Sequence, residues 1–398
     1  MKVSITNQDG IELSAELDIP PSGSANQYAI FAHCFTCSKS FSATRNISRS
    51  LTMQGFGVLR FDFTGLGNRQ GEFGESNFSV NLDDIKTVAQ WLTDNYEAPN
   101  LLVGHSLGGA AVIFAGAQID SVKAIATVGA PADPVHVEHL FGDNLEELKE
   151  KGAAKVNIGG RPFHVKGQFL EDLKTHDVEQ VLPEMRKALL ILHSPQDTIV
   201  GINNAARLYG LAHHPKSFVS LDGADHVLSN KSDSMYVGSV IANWAERYLT
   251  IKDDSLPEGR VEAKLQSEAF TTAISVGEHH MIADEPKSVG VNDLGPSPYD
   301  YVASGLGACT AMTIKMCAAR KKWDLKGVTV TVSHNKKYAA DCDDCELPST
   351  KIDHFTRVVE LNGDLDTSQR KRLLEIANKC LVHKTLEASS VIETELRV

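Results

Sequence analysis

At 398 residues the chain is too long for one ordinary hydrophobic core, and two domains are expected. Hydrophobic residues at 42% and charged residues at 23% give the composition of a soluble globular protein, and a formal net charge of -12 argues against nucleic-acid or anionic-membrane partners. No stretch reaches the roughly 18 apolar residues of a membrane span, and the opening MKVSITNQDG lacks the apolar core of a signal peptide. Seven cysteines, an odd number, do not resemble a secreted disulfide framework, so a cytoplasmic protein with reactive or redox thiols is expected.

From residue 1 to about 250, short β-branched runs alternate with helical stretches. YAIFAH ending at His33, VLRFDF ending at Phe63, NLLVGH ending at His105, AIATVGA and ALLILHS are apolar on both faces. That pattern suits strands covered by helices on each side. Between them, SATRNISRSLTMQG, VNLDDIKTVAQWLTDNY and INNAARLYGLA carry helical periodicity. The alternation predicts an α/β domain with a mainly parallel sheet and right-handed crossovers. From about Pro131 to Pro183 the rhythm breaks into two charged helical pieces and a Gly-rich turn, IGGRPF, where a lid would sit. Lys155, Arg161, Phe163 and Phe169 in this insert either line a pocket or pack its roof.

A helix near Ser234 to Leu249 closes the first domain. Residues 251–261, polar and broken by Pro257, form the expected linker. Residues 262–398 change character. VEAKLQSEAFTTAISV alternates like paired strands, and YVASGLGACTAMTIKMCAARKK is an apolar helix. Strands follow around GVTVTVSHNKK and RVVELNG, then a second long helix, TSQRKRLLEIANKCLV. This order predicts an α+β domain.

The strongest motif is Gly104-His105-Ser106-Leu107-Gly108, between a predicted strand and a predicted helix. A serine on so sharp a turn needs glycine neighbours, because any Cβ would meet backbone. The small residues GGAAV after it allow close helix–sheet packing and aim a helix dipole at an oxyanion. A serine needs a base and an orienting acid, expected in the chain order Ser, acid, His. His226, in DGADHVL, is the expected base, and Asp197, in HSPQDTIV, the expected acid. Both follow strand ends, where such sheets assemble sites. Asp133 is the competing acid, and Asp225 is too close to His226 to reach the far ring nitrogen. The oxyanion donors are expected from the backbone N–H of Leu107 and of Phe35, with Cys34 in reserve. Cys34 and Cys37 form a C-x-x-C pair read as loop packing, since no second ligand pair is evident for a metal.

These residues resemble the α/β-hydrolase superfamily across roughly residues 1 to 250. FDFTGLGNRQGEF is similar to a glycine-rich loop common there, while Cys34 stands where a glycine is usual. The resemblance implies an α/β-hydrolase fold with a short lid. It also implies esterase, thioesterase, lipase or peptidase chemistry on a small-molecule acyl substrate through an acyl-enzyme, with no cofactor.

In the second domain Cys309 is expected near the start of a helix, a position that lowers a thiol's pKa. Cys380 is expected within the second long helix. GPSPYDYVASGLGACTAMT and LEIANKCLVHKTL are similar to the two cysteine motifs of the OsmC/Ohr family, over roughly residues 262 to 398. That resemblance implies an intertwined homodimer, larger if the hydrolase domains also touch. It further implies reduction of organic hydroperoxides, with Cys309 attacking, Cys380 resolving and an external dithiol regenerating the pair. The sequence departs from the family where Tyr299 replaces a glutamate, with Asp300 one position away. Leu381 replaces a proline, and no activating arginine is evident near SEAFTTAISVGEHH. A non-catalytic dimerisation module, or a binding protein with a vestigial triad, are the rival readings. Cys342 and Cys345, with His334 and His354 nearby, are read as an exposed loop or local disulfide rather than a zinc site. Cys317 is expected to be buried, and His279 and His280 to be surface or packing residues.

Overall fold

A computed structural model describes residues 1–34, 38–65, 77–135, 144–158, 161–249, 257–265, 270–277, 279–289, 293–338 and 351–396. The chain divides into two compact units, 1–267 with 275–279 and 268–274 with 280–398.

The first unit opens with strands β1 (Lys2–Thr6), β2 (Glu12–Asp18) and β3 (Gln27–Ala32), then helix α1 (Ser42–Met53) and strand β4 (Phe56–Phe61). Helix α2 (Phe78–Asn95) starts where the Asn77 side chain accepts from the Val80 N–H at 2.8 Å, the usual way of satisfying a first-turn donor. Strand β5 (Leu101–His105), helix α3 (Leu107–Gln118) and strand β6 (Ala124–Val128) follow. The insert holds α4 (Asn144–Lys151), strands β7 (Ala153–Ile158) and β8 (Arg161–Lys166), α5 (Gly167–Leu173) and α6 (Val178–Val181). Strand β9 (Ala188–His193), α7 (Asn203–Leu211), strand β10 (Lys216–Ser220) and α8 (Lys231–Glu246) complete it.

Eight strands form one sheet in the order β1-β2-β4-β3-β5-β6-β9-β10. β1, β2 and β4 pair antiparallel, and every pairing from β4 onward through β3 to β10 is parallel. Alternate strand residues serve opposite faces, as the pleat demands. Ile30, Leu59, Leu102 and Ile125 pack with Ile85, Val112 and Phe114 on one side. Phe31, Val58, Val103 and Ala126 pack with Ile47, Leu51, Val237 and Ile241 on the other. This is the mainly parallel, helix-covered sheet expected from the alternation, and it has the α/β-hydrolase architecture that the resemblance implies.

The insert differs from expectation in one respect. It contains two antiparallel strands, β7 and β8, in register from Ala153↔Lys166 to Ile158↔Arg161. The glycines of the turn expected at IGGRPF lie outside the described residues; the flanking residues AAKVNI and RPFHVK are strands because they alternate. Phe169 is buried in the core, whereas nothing is described of the side chains of Lys155, Arg161 and Phe163.

In the C-terminal portion, β11 (Val261–Lys264), β12 (Thr272–Val276) and β13 (His279–Ala283) form a small sheet. Helix α9 (Pro298–Lys321) follows, then the antiparallel pair of β14 (Asp324–Tyr338) and β15 (Lys351–Asp364), α10 (Thr367–Ala377) and α11 (Leu381–Glu387). Ser297 and Asp300 make a reciprocal capping box with Pro298 in the first turn, which fixes where α9 begins. The core here is small: Ile314, Ala318, Leu325, Leu365, Leu373 and Ala377. α9 buries Leu306, Thr310, Ile314 and Ala318 but leaves Met312 and Met316 each 66% exposed.

The helix α9 is, among the described residues, long and apolar enough to cross a bilayer by length and composition, a test that the core helix of a soluble protein also passes. Two expectations need correction. Cys309 is the twelfth residue of α9, not near its start. Cys380 does not lie within a long helix, since α10 ends at Ala377 and Cys380 is the N-cap of α11. Its sulfur accepts from the His383 N–H at 3.3 Å, taking the place of a capping oxygen.

Candidate active site

β5, β9 and β10 end on one edge of the sheet, and each delivers one polar side chain there. Ser106 follows β5 with φ 55 and ψ -125, a conformation that side chains rarely adopt. Its N–H donates to the Val128 carbonyl at 2.9 Å, and its carbonyl accepts from Gly109 at 2.8 Å. The glycines on either side are steric requirements. A Cβ on Gly104 would stand 2.3 Å from the Gly108 carbonyl oxygen, and one on Gly108 would stand 2.4 Å from both the Ala32 and His33 oxygens.

His226 Nε2 lies 3.0 Å from Ser106 Oγ, and His226 Nδ1 lies 2.7 Å from Asp197 Oδ2. The other Asp197 oxygen accepts the N–H groups of Ile199 and Val200, both at 2.9 Å. Burial pushes the Asp197 carboxyl up, but the bond and charge of His226 and the two backbone donors outweigh it and hold the carboxyl below its ordinary value. A fixed carboxylate sets the His226 tautomer, leaving Nε2 free to take the hydroxyl proton. Ser106, Asp197 and His226, separated widely in sequence, are therefore brought together.

The competing acids are engaged elsewhere. Asp133 accepts from the Val135 N–H and stands 4.0 Å from Arg207. Asp225 accepts from the backbone and hydroxyl of Ser229. Leu107 opens α3, so its N–H has no partner inside the helix and points from the positive end of the dipole. Phe35, Thr36, Cys37 and most of the glycine-rich loop lie outside the described residues. Cys34 is buried and disulfide-bonded, which corrects the reading of plain loop packing; Cys309, Cys317 and Cys380 are free.

The second unit gathers the two predicted thiols. Cys309 on α9 and Cys380 at the start of α11 act on one another, since the Cys380 thiol and the Val382 and Leu381 N–H groups all bear on the Cys309 thiol. The Val382 N–H above all, with these others and Thr313, holds the Cys309 thiol below its ordinary value against a smaller effect of burial. The helix terminus responsible belongs to α11, not to the helix that carries Cys309. Cys380 is buried and lies 3.5 Å from Thr310 Oγ1.

Sequence reasoning missed Arg357, which is inward-facing on β15. Its guanidinium donates to Thr310 Oγ1 at 2.8 Å, the Ala377 carbonyl at 3.1 Å, Asn378 Oδ1 at 2.9 Å and His383 Nδ1 at 3.1 Å. It thus braces the α10–α11 turn that presents Cys380, and only the long-range β14–β15 pairing could have revealed it. Asp300 spends its carboxylate on the α9 cap, and Tyr299 stacks on His334, so neither is offered to the thiols. His334 bonds Asp353 at 2.8 Å. No group of three or more metal-binding side chains occurs among the described residues, and Cys342 and Cys345 lie outside them. Cys317 is half-buried against the small core, and His279 and His280 are exposed.

Comparison with known proteins agrees with both halves. Residues 30–158 match the family model for serine aminopeptidase, S33, and residues 290–395 match the OsmC-like protein model. The crystal structure of the esterase domain of a Rhodothermus marinus protein is 50% identical, covering 62% of this chain and 98% of that one with a TM-score of 0.53. The mitochondrial palmitoyl-protein thioesterase ABHD10 of Mus musculus is 25% identical over 187 residues, 45% of this chain and 62% of its own. The lysophosphatidylserine lipase ABHD12 of Danio rerio is 26% identical over 174 residues, 42% of each chain. The chain thus spans about half the length of these curated relatives. On this evidence the chain belongs to the α/β-hydrolase superfamily as a serine esterase-like hydrolase joined to a C-terminal OsmC-like domain.

Proposed function

We propose that the first unit hydrolyses a carboxylic ester or related acyl bond through an acyl-enzyme on Ser106. The observation that carries this is the continuous chain Ser106–His226–Asp197, at 3.0 and 2.7 Å, on a serine held at φ 55. His226 takes the hydroxyl proton as Oγ attacks the acyl carbon, and the Leu107 N–H, with a second donor from the loop after β3, receives the oxyanion. Loss of the alcohol leaves the acyl-enzyme, which water attacks with His226 again as base. Thioester hydrolysis uses the same machinery, and the thioesterase named among the relatives favours testing it. Labelling of the wild type by a fluorophosphonate, lost in Ser106→Ala, tests the reading. p-Nitrophenyl esters of graded chain length then define the acyl group.

For the second unit the reading is reduction of organic hydroperoxides. The Cys309 thiolate attacks the distal peroxide oxygen, the O–O bond breaks, the alcohol leaves with a proton and a sulfenic acid remains. The Cys380 thiol condenses with it, releasing water, and an external dithiol reduces the disulfide. The depressed Cys309 thiol beside a buried Cys380 supports this assignment. The exposed Met312 and Met316 of α9 support a homodimer in which a second copy covers that face. Peroxide consumption by wild type and Cys309→Ser tests the chemistry: equal rates would leave Cys309 without a peroxidatic role.

A further inference from the structure

Two buried histidines outside the triad terminate the strands that carry its members. His105 ends β5, directly before Ser106, and His193 ends β9, four residues before Asp197. Their exposures are 3% and 0%. His105 Nε2 lies 2.7 Å from the main-chain oxygen of His226, and His193 Nε2 lies 2.7 Å from that of Val200. A carbonyl only accepts, so each ring carries a proton on Nε2 and donates it. Val200 in turn donates its N–H to Asp197 Oδ1 at 2.9 Å. One ring therefore grips the backbone of the base, and the other grips the backbone that grips the acid.

We propose that His105 and His193 are positioning residues of the hydrolytic site, acting as neutral Nε2–H donors that fix the His226 and Asp197 loops to the sheet edge. The proposal rests on the hydrolase reading above. Each loop approaches the strand end where no ladder partner remains, so its carbonyl needs a donor from a side chain. Histidine supplies one at the reach of Nε2 with few rotatable bonds to freeze.

Neutrality is part of the role. The groups facing His105 are His226, Asp197 and His33, and those facing His193 are Asp197 and His226. Burial first, then the charge of His226, pushes His105 down to about 3, and burial pushes His193 down as well. The His105 and His226 ring centroids are 5.2 Å apart. A cation on His105 would oppose the imidazolium that His226 forms during acyl transfer. His193 Nδ1 has no hydrogen-bond partner among the described residues, so a second proton there would be buried and unsatisfied.

His105→Phe keeps the ring and removes the donor, while His105→Gln restores an N–H at a similar reach. With a p-nitrophenyl ester, His105→Phe is expected to lower kcat roughly ten- to a hundredfold. KM should stay within about threefold of wild type, and His105→Gln should recover most of the loss. His193→Phe and His193→Gln should behave as a parallel pair. If the Phe variants do not fold, His105→Asn makes the same comparison, since its amide stops at the Nδ1 position. Equal kcat in wild type and His105→Phe overturns the proposal, as does equal loss in the Phe and Gln variants. Wild type that neither turns over esters nor labels at Ser106 removes the hydrolase reading itself, and the proposal with it; an active wild type beside an equally active His105→Phe removes the proposal alone.

Discussion

Gly104→Ala tests whether the serine turn is held by sterics. The new Cβ would stand 2.3 Å from the Gly108 carbonyl oxygen and 2.6 Å from Gly108 C and Gly109 Cα, all backbone atoms. An ordinary C···O approach is about 3.3 Å, so the first turn of α3 must retreat from β5 by roughly 1 Å. α3 cannot easily yield, because a Cβ on Gly109 would already stand 2.5 Å from Ala130 and the helix is apolar and buried on its whole first turn. The strain should cost about 1–3 kcal/mol of stability. Ser106 rides on that turn, and its 3.0 Å bond to His226 would stretch with it. A displacement of this size lowers acyl transfer on the order of a hundredfold. The assay is steady-state hydrolysis of a p-nitrophenyl ester beside a thermal melt. Gly201→Ala is the control, since a Cβ there meets nothing within 4 Å. If Gly104→Ala keeps kcat/KM within about threefold of the control, the steric account is wrong.

Other outcomes follow from the same contacts. Asp197→Asn leaves the geometry but releases the tautomer of His226, and kcat should fall on the order of 10⁴-fold in the same ester assay. Asp84 is buried beneath Thr64 and Asn7, and burial raises its carboxyl to about 6. A folded pKa above the unfolded value of about 3.9 contributes stability at low pH that is lost as pH rises through about 6. Asp84→Asn should therefore stabilise the chain by about 1–3 kcal/mol at pH 8 and lose that advantage toward pH 4, read by urea unfolding; an advantage unchanged from pH 8 to 4 would refute the assignment. Cys309, held below an ordinary thiol's pKa, should be alkylated by iodoacetamide faster than Cys317 at pH 7 and keep its rate to lower pH, by peptide mass analysis. Met312→Glu with Met316→Glu should shift light-scattering mass from dimer to monomer; an unchanged mass would place the dimer contact elsewhere.

Much of the hydrolase unit could be read in advance because its signals are local. Runs such as NLLVGH are apolar on both faces, and the glycines around Ser106 announce a turn that only small residues permit. Asp197 and His226 were legible because they follow strand ends in the right order. The β7–β8 pair was harder, since AAKVNI and RPFHVK mix charged residues among few apolar ones and lie between charged helical pieces. The break at Cys380 was concealed by TSQRKRLLEIANKCLV, whose helical periodicity continues through a turn that Arg357 stabilises from a distant strand. His105 and His193 looked like strand ends in sequence. Their roles depend on carbonyls that approach only after the sheet has formed.

The site residues emerge in the order Ser106, Asp197, His226, from strands that join the sheet one after another toward its far edge. During synthesis the serine is thus present long before its base, and a ribosome must pass β10 and His226 before any proton can move. A nascent or truncated chain that has folded only as far as β6 holds a strained hydroxyl with no chemistry. Turnover by this protein would accordingly report completion of the hydrolase unit, since loss of the segment after β9 removes Asp197 and His226 together with Val237 and Ile241, which cover one face of the sheet.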